Sequence, residues 1–368
     1  MYRKKRLLLL ALTVAYPQLY AQKGNKILSD IKQQTTFGGY VVGRAAFNDQ
    51  DLDAKNTSHS AFDLRLVRAY VKGKVWNISY QLQMEMSGVG GTSSATGPRV
   101  LDAWAEWKQV DWMAVKFGQF KRSFTFENPM NPWDIGFGSF SQSTVRLAGM
   151  TDRVGEHSSG GRDLGIQIQG DLIKCPSSQR YWLHYQLGVF NGQGINHSEQ
   201  NNAKDLIGGI WVSPAKNLQI GVFGWSGSYC STVGSRKVSV DRNRMAYGVK
   251  YESDWSVRAE YISSQGHKVS DYTDNGDGTL TVKGNDHADA WYVLLGAPLT
   301  KRCKLYGKWD VYRDQKNNGT KKSIYTLSAN YYLYKNLKLQ ALYGFVEDNS
   351  TTSDKHYNTY ELQLYWRF

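Results

Sequence analysis

The sequence lacks most of what marks a helical membrane protein or a soluble enzyme. Past its first twenty residues, nothing approaches the ~18 consecutive apolar residues that a transmembrane helix requires, and the mean hydropathy is −0.52. No apolar spacing of i, i+3, i+4, i+7 is sustained anywhere, which excludes a helical bundle. Cysteine is scarce: Cys175, Cys230 and Cys303 are odd in number and far apart, so neither a disulfide framework nor a cysteine-based metal centre is expected. Proline is scarce too, with seven in 368 residues. The histidines are scattered, six in polar stretches and His184 in an alternating one, and no Ser or Asp partner stands where a catalytic constellation could be assembled. Asp271, Asp274 and Asp277 sit near glycines, but Thr273 falls where a calcium loop needs an acid, so this segment reads as a loop-tip turn. No enzyme activity, cofactor or metal is expected.

What the chain does have begins at its start. Arg3, Lys4, Lys5 and Arg6 precede the apolar run Leu7 to Ala15, and Leu19-Tyr20-Ala21 ends it with a small residue. That is the pattern of a cleavable export signal over residues 1–21, and removing 21 of 368 residues leaves a mature chain of 347. Residues 22–34 then read as a short periplasmic segment and 35–368 as one further unit. The net charge is +13, of which four positive charges lie in the leader, leaving +9. Such a balance suits anionic partners, and export argues against nucleic acid.

Period-two alternation dominates the rest. From Trp76 to Met86 every even residue is apolar and every odd one polar; Leu164 to Gln169 and Tyr360 to Phe368 repeat the switch. Successive side chains of a strand point to opposite faces, so each segment has one apolar and one polar face. Sixteen segments are expected, near 35–47, 61–73, 75–87, 99–109, 112–122, 162–172, 181–191, 205–213, 217–227, 242–252, 254–264, 288–297, 301–312, 322–334, 336–346 and 356–368. Seven short connections alternate with eight long ones, of which 123–161 is the longest. Short turns at one end, long loops at the other and an even strand count describe a transmembrane antiparallel β-barrel of an outer membrane. All seven prolines fall outside the expected strand interiors, as strand ladders demand. Aromatics at 13% suit interfacial girdles. The terminal Phe368 shares a face with Tyr360, Leu362, Leu364 and Trp366, and is expected to act in closing the barrel and as a sorting signal.

Three stretches carry a family resemblance: "FDLRLVRAYVKG" from Phe62 to Gly73, "GQFKRSF" from Gly118 to Phe124, and "GRDLGIQIQG" from Gly161 to Gly170. Together they resemble the phosphate-selective porins O and P. The resemblance implies a trimeric sixteen-stranded porin whose third long loop folds into the pore. The loop's own composition agrees: Phe124, Phe126, Pro129, Pro132, Trp133, Ile135, Phe137 and Phe140 need something to pack on.

Selectivity in such a pore follows from size and wall charge. Strand polarity assigns ten bases and eight acids to the inner face, among them Arg44, Arg65, Lys116, Arg258 and Lys338 against Asp63, Glu85, Asp102, Glu260 and Asp310. Many of these are expected to pair. The anion-steering candidates are Arg65, Lys116, Lys121, Arg122, Arg146 and Arg162. Arg65 and Arg68 stand two residues apart rather than as a doublet, which favours a general, mildly anion-preferring pore over a dedicated phosphate site. The expected solutes are small, hydrophilic and anionic, phosphate among them, and the expected surroundings are outer-membrane lipid and lipopolysaccharide. The rival is a non-conducting barrel, sealed by residues 123–161, that serves adhesion, envelope architecture or a secretion assembly.

Overall fold

The computed structural model describes residues 34–50, 59–87, 98–176, 178, 180–351 and 354–368. The leader at 1–21 and all but the last residue of the 22–34 segment lie outside the described residues. Sixteen strands close into one antiparallel barrel in chain order. They are β1 (Thr35–Asn48), β2 (His59–Val75), β3 (Ile78–Glu85), β4 (Arg99–Val110), β5 (Met113–Lys121), β6 (Arg162–Lys174), β7 (Tyr181–Phe190) and β8 (Asp205–Ala215), followed by β9 (Leu218–Ser226), β10 (Asn243–Glu252), β11 (Ser256–Gln265), β12 (His287–Thr300), β13 (Cys303–Arg313), β14 (Lys322–Tyr334), β15 (Leu337–Asp348) and β16 (His356–Arg367). Every strand end lies within three residues of its alternating segment.

The two faces are what the alternation predicts. On β16, Tyr360, Leu362, Leu364 and Trp366 are 46–49% exposed, whereas Gln363 and Tyr365 between them are 0% exposed. Apolar side chains on the outer face meet hydrocarbon, and the polar ones turn to the interior. The last strand pairs with the first, Val41 opposite Trp366. Phe368 completes the seam: its backbone N–H donates to the Gly39 carbonyl at 3.1 Å, and the Gly39 N–H donates to the Phe368 carbonyl at 3.0 Å. Only glycine allows this approach, because a Cβ on Gly39 would lie 2.4 Å from the Arg68 carbonyl and 2.6 Å from the Phe368 ring.

Two prolines depart from expectation. Pro214 and Pro298 lie inside β8 and β12, near their ends, and each coincides with a break in the pairing register, between Val212 and Ala215 and between Pro298 and Thr300. A proline cannot donate to the ladder, and a bulge removes the need for it to do so. Two long connections also hold structure of their own: the hairpin Ser228–Val233 with Arg236–Asp241, and the hairpin Tyr272–Asp274 with Leu280–Val282. Their Val238, Val240, Tyr229, Tyr272 and Leu280 pack with Val154 from the third loop.

The third loop, 122–161, holds one short helix, α1 (Gln142–Leu147). Its apolar residues find partners on the buried faces of distant strands. Phe126 packs edge-on against Trp211 and Phe223, Phe124 against Trp225, Phe137 against Tyr306, and Trp133 against Tyr365. Its backbone polar groups, which no ladder satisfies, are met by side chains of the wall. Glu260 accepts from the Phe126 and Glu127 N–H groups at 2.9 and 2.8 Å. Asp310 accepts from the Gln142 N–H. Lys338 donates to the Trp133 carbonyl at 2.7 Å and Arg258 to the Ile135 carbonyl at 2.7 Å. The Gly136 carbonyl receives Ser328, Asn330 and Gln340.

The seam generates a test. Deleting Phe368 removes two hydrogen bonds and the last outward aromatic, and is expected to lower the folded fraction in outer membranes severalfold. Heat-modifiable migration of unboiled samples on gels measures it; an unchanged folded fraction would show that the seam does not depend on this residue.

Candidate functional site

Two bulges shape the interior of β1–β6. Val42 pairs with Leu66 and Gly43 with Leu64, so Arg65 has no partner across the strand. Likewise Gln83 pairs with Asp102 and Met84 with Val100, leaving Leu101 extra. A bulge re-aims the residues that follow it. Here it turns Arg65, Leu66 and Arg68 all inward. Arg65 donates to the Tyr365 hydroxyl at 3.0 Å, Leu66 packs on the cluster of Tyr40, Val42, Trp133 and Tyr365, and Arg68 bonds Glu85 at 2.5 Å. Strict alternation puts Arg68 on the lipid face, so its place on the inner wall was missed. The signal was the phase break itself, two arginines an odd number of positions apart within one alternating run.

Two adjoining cavities of about 330 and 310 Å³ run along this wall and share Arg68, Lys121, Pro132 and Arg162. The cavity nearer the long loops adds Arg65, Arg99 and Glu85. The other adds Lys116 and Asp102. Lys116 lies 3.7 Å from the Trp104 ring centroid and makes no ion pair among the described residues. The Lys121 ammonium donates to the Asn128 and Met130 carbonyls at 2.6 and 2.9 Å. Arg162 makes a bidentate pair with Asp102, both bonds at 3.0 Å. Five of the six expected site residues, Arg65, Lys116, Lys121, Arg122 and Arg162, therefore border these two cavities, joined by the unexpected Arg68 and Arg99.

The sixth, Arg146, lies apart from them. Arg146 is exposed in a third cavity of about 720 Å³, beside Arg153, Lys268 and Lys321, which meets the cavity nearer the long loops at Ser139, Phe140 and Val145. Arg122 borders the cavity beside Lys116 but is itself 0% exposed, its guanidinium engaged in ion pairs. It donates to Glu156 at 3.1 Å and to Asp163 at 3.0 Å. It belongs to a buried charge network that ties both ends of the third loop to the barrel. Arg242, just ahead of β10, bonds Glu156 and reaches Asp205 at 2.6 Å. Arg244 makes a bidentate pair with Asp152, both bonds at 2.6 Å, and donates to the Leu147 carbonyl. All three guanidiniums lie 4.5–5.0 Å from the ring of Trp225, whose indole N–H donates to Asp205. Burial disfavours the Arg242 charge, but Asp205 and Glu156 outweigh it and push its pKa above the ordinary value. Burial likewise pushes the Asp152 carboxyl up, and Arg244 overrides it, holding the pKa at about 2.

Comparisons with known proteins agree with this geometry. Residues 41–136 match the model of the family phosphate-selective porin O and P, the family that the sequence motifs resemble. No curated protein matches the chain. Among solved structures, the anion-selective porin from Comamonas acidovorans is 13% identical, with 91% of this chain and 99% of that one covered and a TM-score of 0.67. Salmonella typhi OmpF in complex with daunomycin is 12% identical, with 91% and 97% covered and a TM-score of 0.63. The trimer form of OmpT from Vibrio cholerae is 14% identical, with 91% and 99% covered and a TM-score of 0.58. At these identities the likeness is one of fold. The chain has the sixteen-stranded fold of these outer-membrane porins, and its residues 41–136 are similar to the porin O and P family.

The buried network yields a prediction. Arg242→Met leaves Glu156 and Asp205 short of a partner in a dry site, and losing one member of a buried pair costs about 3–5 kcal/mol. The variant is expected to unfold at lower temperature and, in planar bilayers, to show flickering current as the third loop loosens. Wild-type stability with quiet currents would remove the network from its anchoring role.

Proposed function

We propose that the protein is an outer-membrane porin that passes small hydrophilic solutes by diffusion and favours anions. The observation that carries this reading is the charge of the wall that the third loop leaves uncovered. Arg65, Arg68, Arg99, Lys116, Lys121 and Arg162 border the two cavities against Glu85 and Asp102. Low-dielectric walls strengthen the field of such an array. In this reading the 122–161 loop folds into the lumen against β8–β16 and narrows the pore without sealing it, and the two cavities along β1–β6 support that. No covalent step is involved; the bases steer, and the loop sets the width.

The leader at 1–21 is removed on export and 22–34 remains as a periplasmic segment. The apolar outer face meets outer-membrane lipid, with lipopolysaccharide outside. A homotrimer is the assembly we favour, by analogy with the trimeric OmpT structure. The sealed-barrel alternative predicts no conductance.

Planar bilayers under a potassium chloride gradient test the proposal. Stepwise conductance with a reversal potential displaced toward the chloride equilibrium value is expected. Lys116→Glu combined with Arg65→Glu is expected to move that potential toward the potassium value. A folded barrel that stays silent, or one already cation-selective, would overturn the reading.

A further inference from the structure

On the outer wall of the barrel, one cross-strand row runs from β8 to β13 through Gly208, Gly224, Met245, Ser263, Asp289 and Arg313, each paired with the next. Residues paired across strands share a face, and the exposed Met245 puts this row on the lipid-facing side. The next row away from the long loops is Ile210, Val222, Tyr247, Tyr261 and Trp291, apolar or aromatic throughout. The next row toward the long loops holds Ser226, Asn243, Gln265 and His287 and is polar. Aromatic rings gather where hydrocarbon gives way to headgroups. The middle row therefore lies at that boundary, on the side of the long loops.

The middle row carries a hollow and, beside it, charge. A cavity of about 810 Å³ lies over Gly208 and Gly224, between Leu206, Ile210 and Met245, and reaches Lys316 at its rim. It opens outward, because Phe223, Trp225 and Arg244 on the reverse of the same strands are buried against the third loop. A Cβ on Gly224 would meet only the Met245 sulfur, at 3.7 Å, so nothing of the barrel fills the space. Next to it Asp289, 1% exposed, accepts from the Arg313 Nε at 2.6 Å and the Tyr261 hydroxyl at 3.2 Å, and lies 3.4 Å from the Lys316 ammonium. Lys316 and Arg313 keep 43% and 35% of their side chains exposed. The surface thus presents two cations and hides the one carboxylate beneath them. His287 on the same rim is bonded to its own neighbour Asp286. Charge on the lipid face is costly at depth and tolerated near the headgroups, where a phosphate oxygen can accept from both cations.

We infer that this groove seats a molecule of lipopolysaccharide by its lipid A, with a phosphate on Lys316 and Arg313 and an acyl chain over Gly224. The hollow takes the chain and the cationic rim takes the phosphate; a plain hydrocarbon surface offers only the first. The long loops mark the outward side of the membrane, so the lipid that meets this rim belongs to the outer leaflet. The inference is separate from the pore and rests on the outer-membrane placement of the barrel.

Native mass spectrometry of the detergent-solubilised barrel tests it, with bisphosphorylated lipid A, the same lipid without phosphates, and phosphatidylglycerol as probes. The wild-type barrel is expected to hold a single lipid A, and to hold it about fivefold or more tighter than either other probe. Lys316→Gln is expected to weaken lipid A binding about fivefold, the effect of one base lost beside an anionic headgroup. Gly224→Leu is expected to weaken it severalfold by filling the hollow. Both variants are expected to migrate as folded barrels in unboiled gels. Equal binding of the phosphate-free lipid or of phosphatidylglycerol would overturn the inference, as would unchanged binding by both variants. Loss of the oligomer in Gly224→Leu, with no lipid A held by the wild type, would make this face a subunit interface and overturn it too. Fractionation of cell envelopes checks the placement separately: a barrel recovered outside the outer membrane would overturn the placement and the inference with it.

Discussion

The arrangement depends on one buried cluster of charge. Arg122, Arg242 and Arg244 converge on the ring of Trp225 and are matched there by Glu156, Asp163, Asp205 and Asp152. Three of those seven groups belong to the third loop and the other four to β6, β8, β10 and the residue just ahead of β10. Charges taken this far out of water persist only when fully paired, so the cluster specifies where the loop begins, where it ends and which wall it meets. The rest of the loop then follows by satisfaction of backbone groups. Glu260, Asp310, Arg258 and Lys338 each meet an N–H or carbonyl of a segment that makes no ladder of its own.

In the proposed porin, the placing of the loop decides the electrostatics of the pore. Counted along the whole inner wall, bases barely outnumber acids, and that count says little about selectivity. Arg258 and Lys338 hold the loop, while Arg44 with Asp63 and Lys308 with Asp310 are paired on the wall. What counts is the strip left uncovered, and there the bases prevail. Selectivity on this view is a property of the pairing pattern rather than of the total charge.

The barrel itself was legible in the residues because strand periodicity and turn length are local properties. The run from Trp76 to Met86 announces its two faces without any partner, and the alternation of short and long connections reports the two ends of the barrel. The site was only partly legible. Lys116 lies on a regular stretch of strand, and alternation puts it on the inner face, where it borders the cavity. Arg68 was lost because a bulge at Arg65 shifts the phase of β2, and a bulge is a property of two paired strands. The ion pairs of Arg122 were not legible for another reason: an arginine at the mouth of a loop looks the same whether it faces water or two buried carboxylates, and Glu156 lies thirty-four residues away. Arg242 and Arg244 drew no notice, since nothing near them in the chain shows that they meet the third loop.

The central claim is that solutes travel along β1–β6 while the loop occupies the opposite half. Thiol accessibility during current recording tests it most directly, in a chain whose Cys175, Cys230 and Cys303 are replaced by serine. Gln81→Cys faces the cavity beside Lys116, and Gln340→Cys lies buried under Gly136 of the loop. A sulfonate-bearing methanethiosulfonate reagent is predicted to reduce the current through Gln81→Cys in steps, faster than its trimethylammonium counterpart, and to leave Gln340→Cys untouched. Block at Gln340→Cys with none at Gln81→Cys would put the path on the other side of the loop and contradict the account.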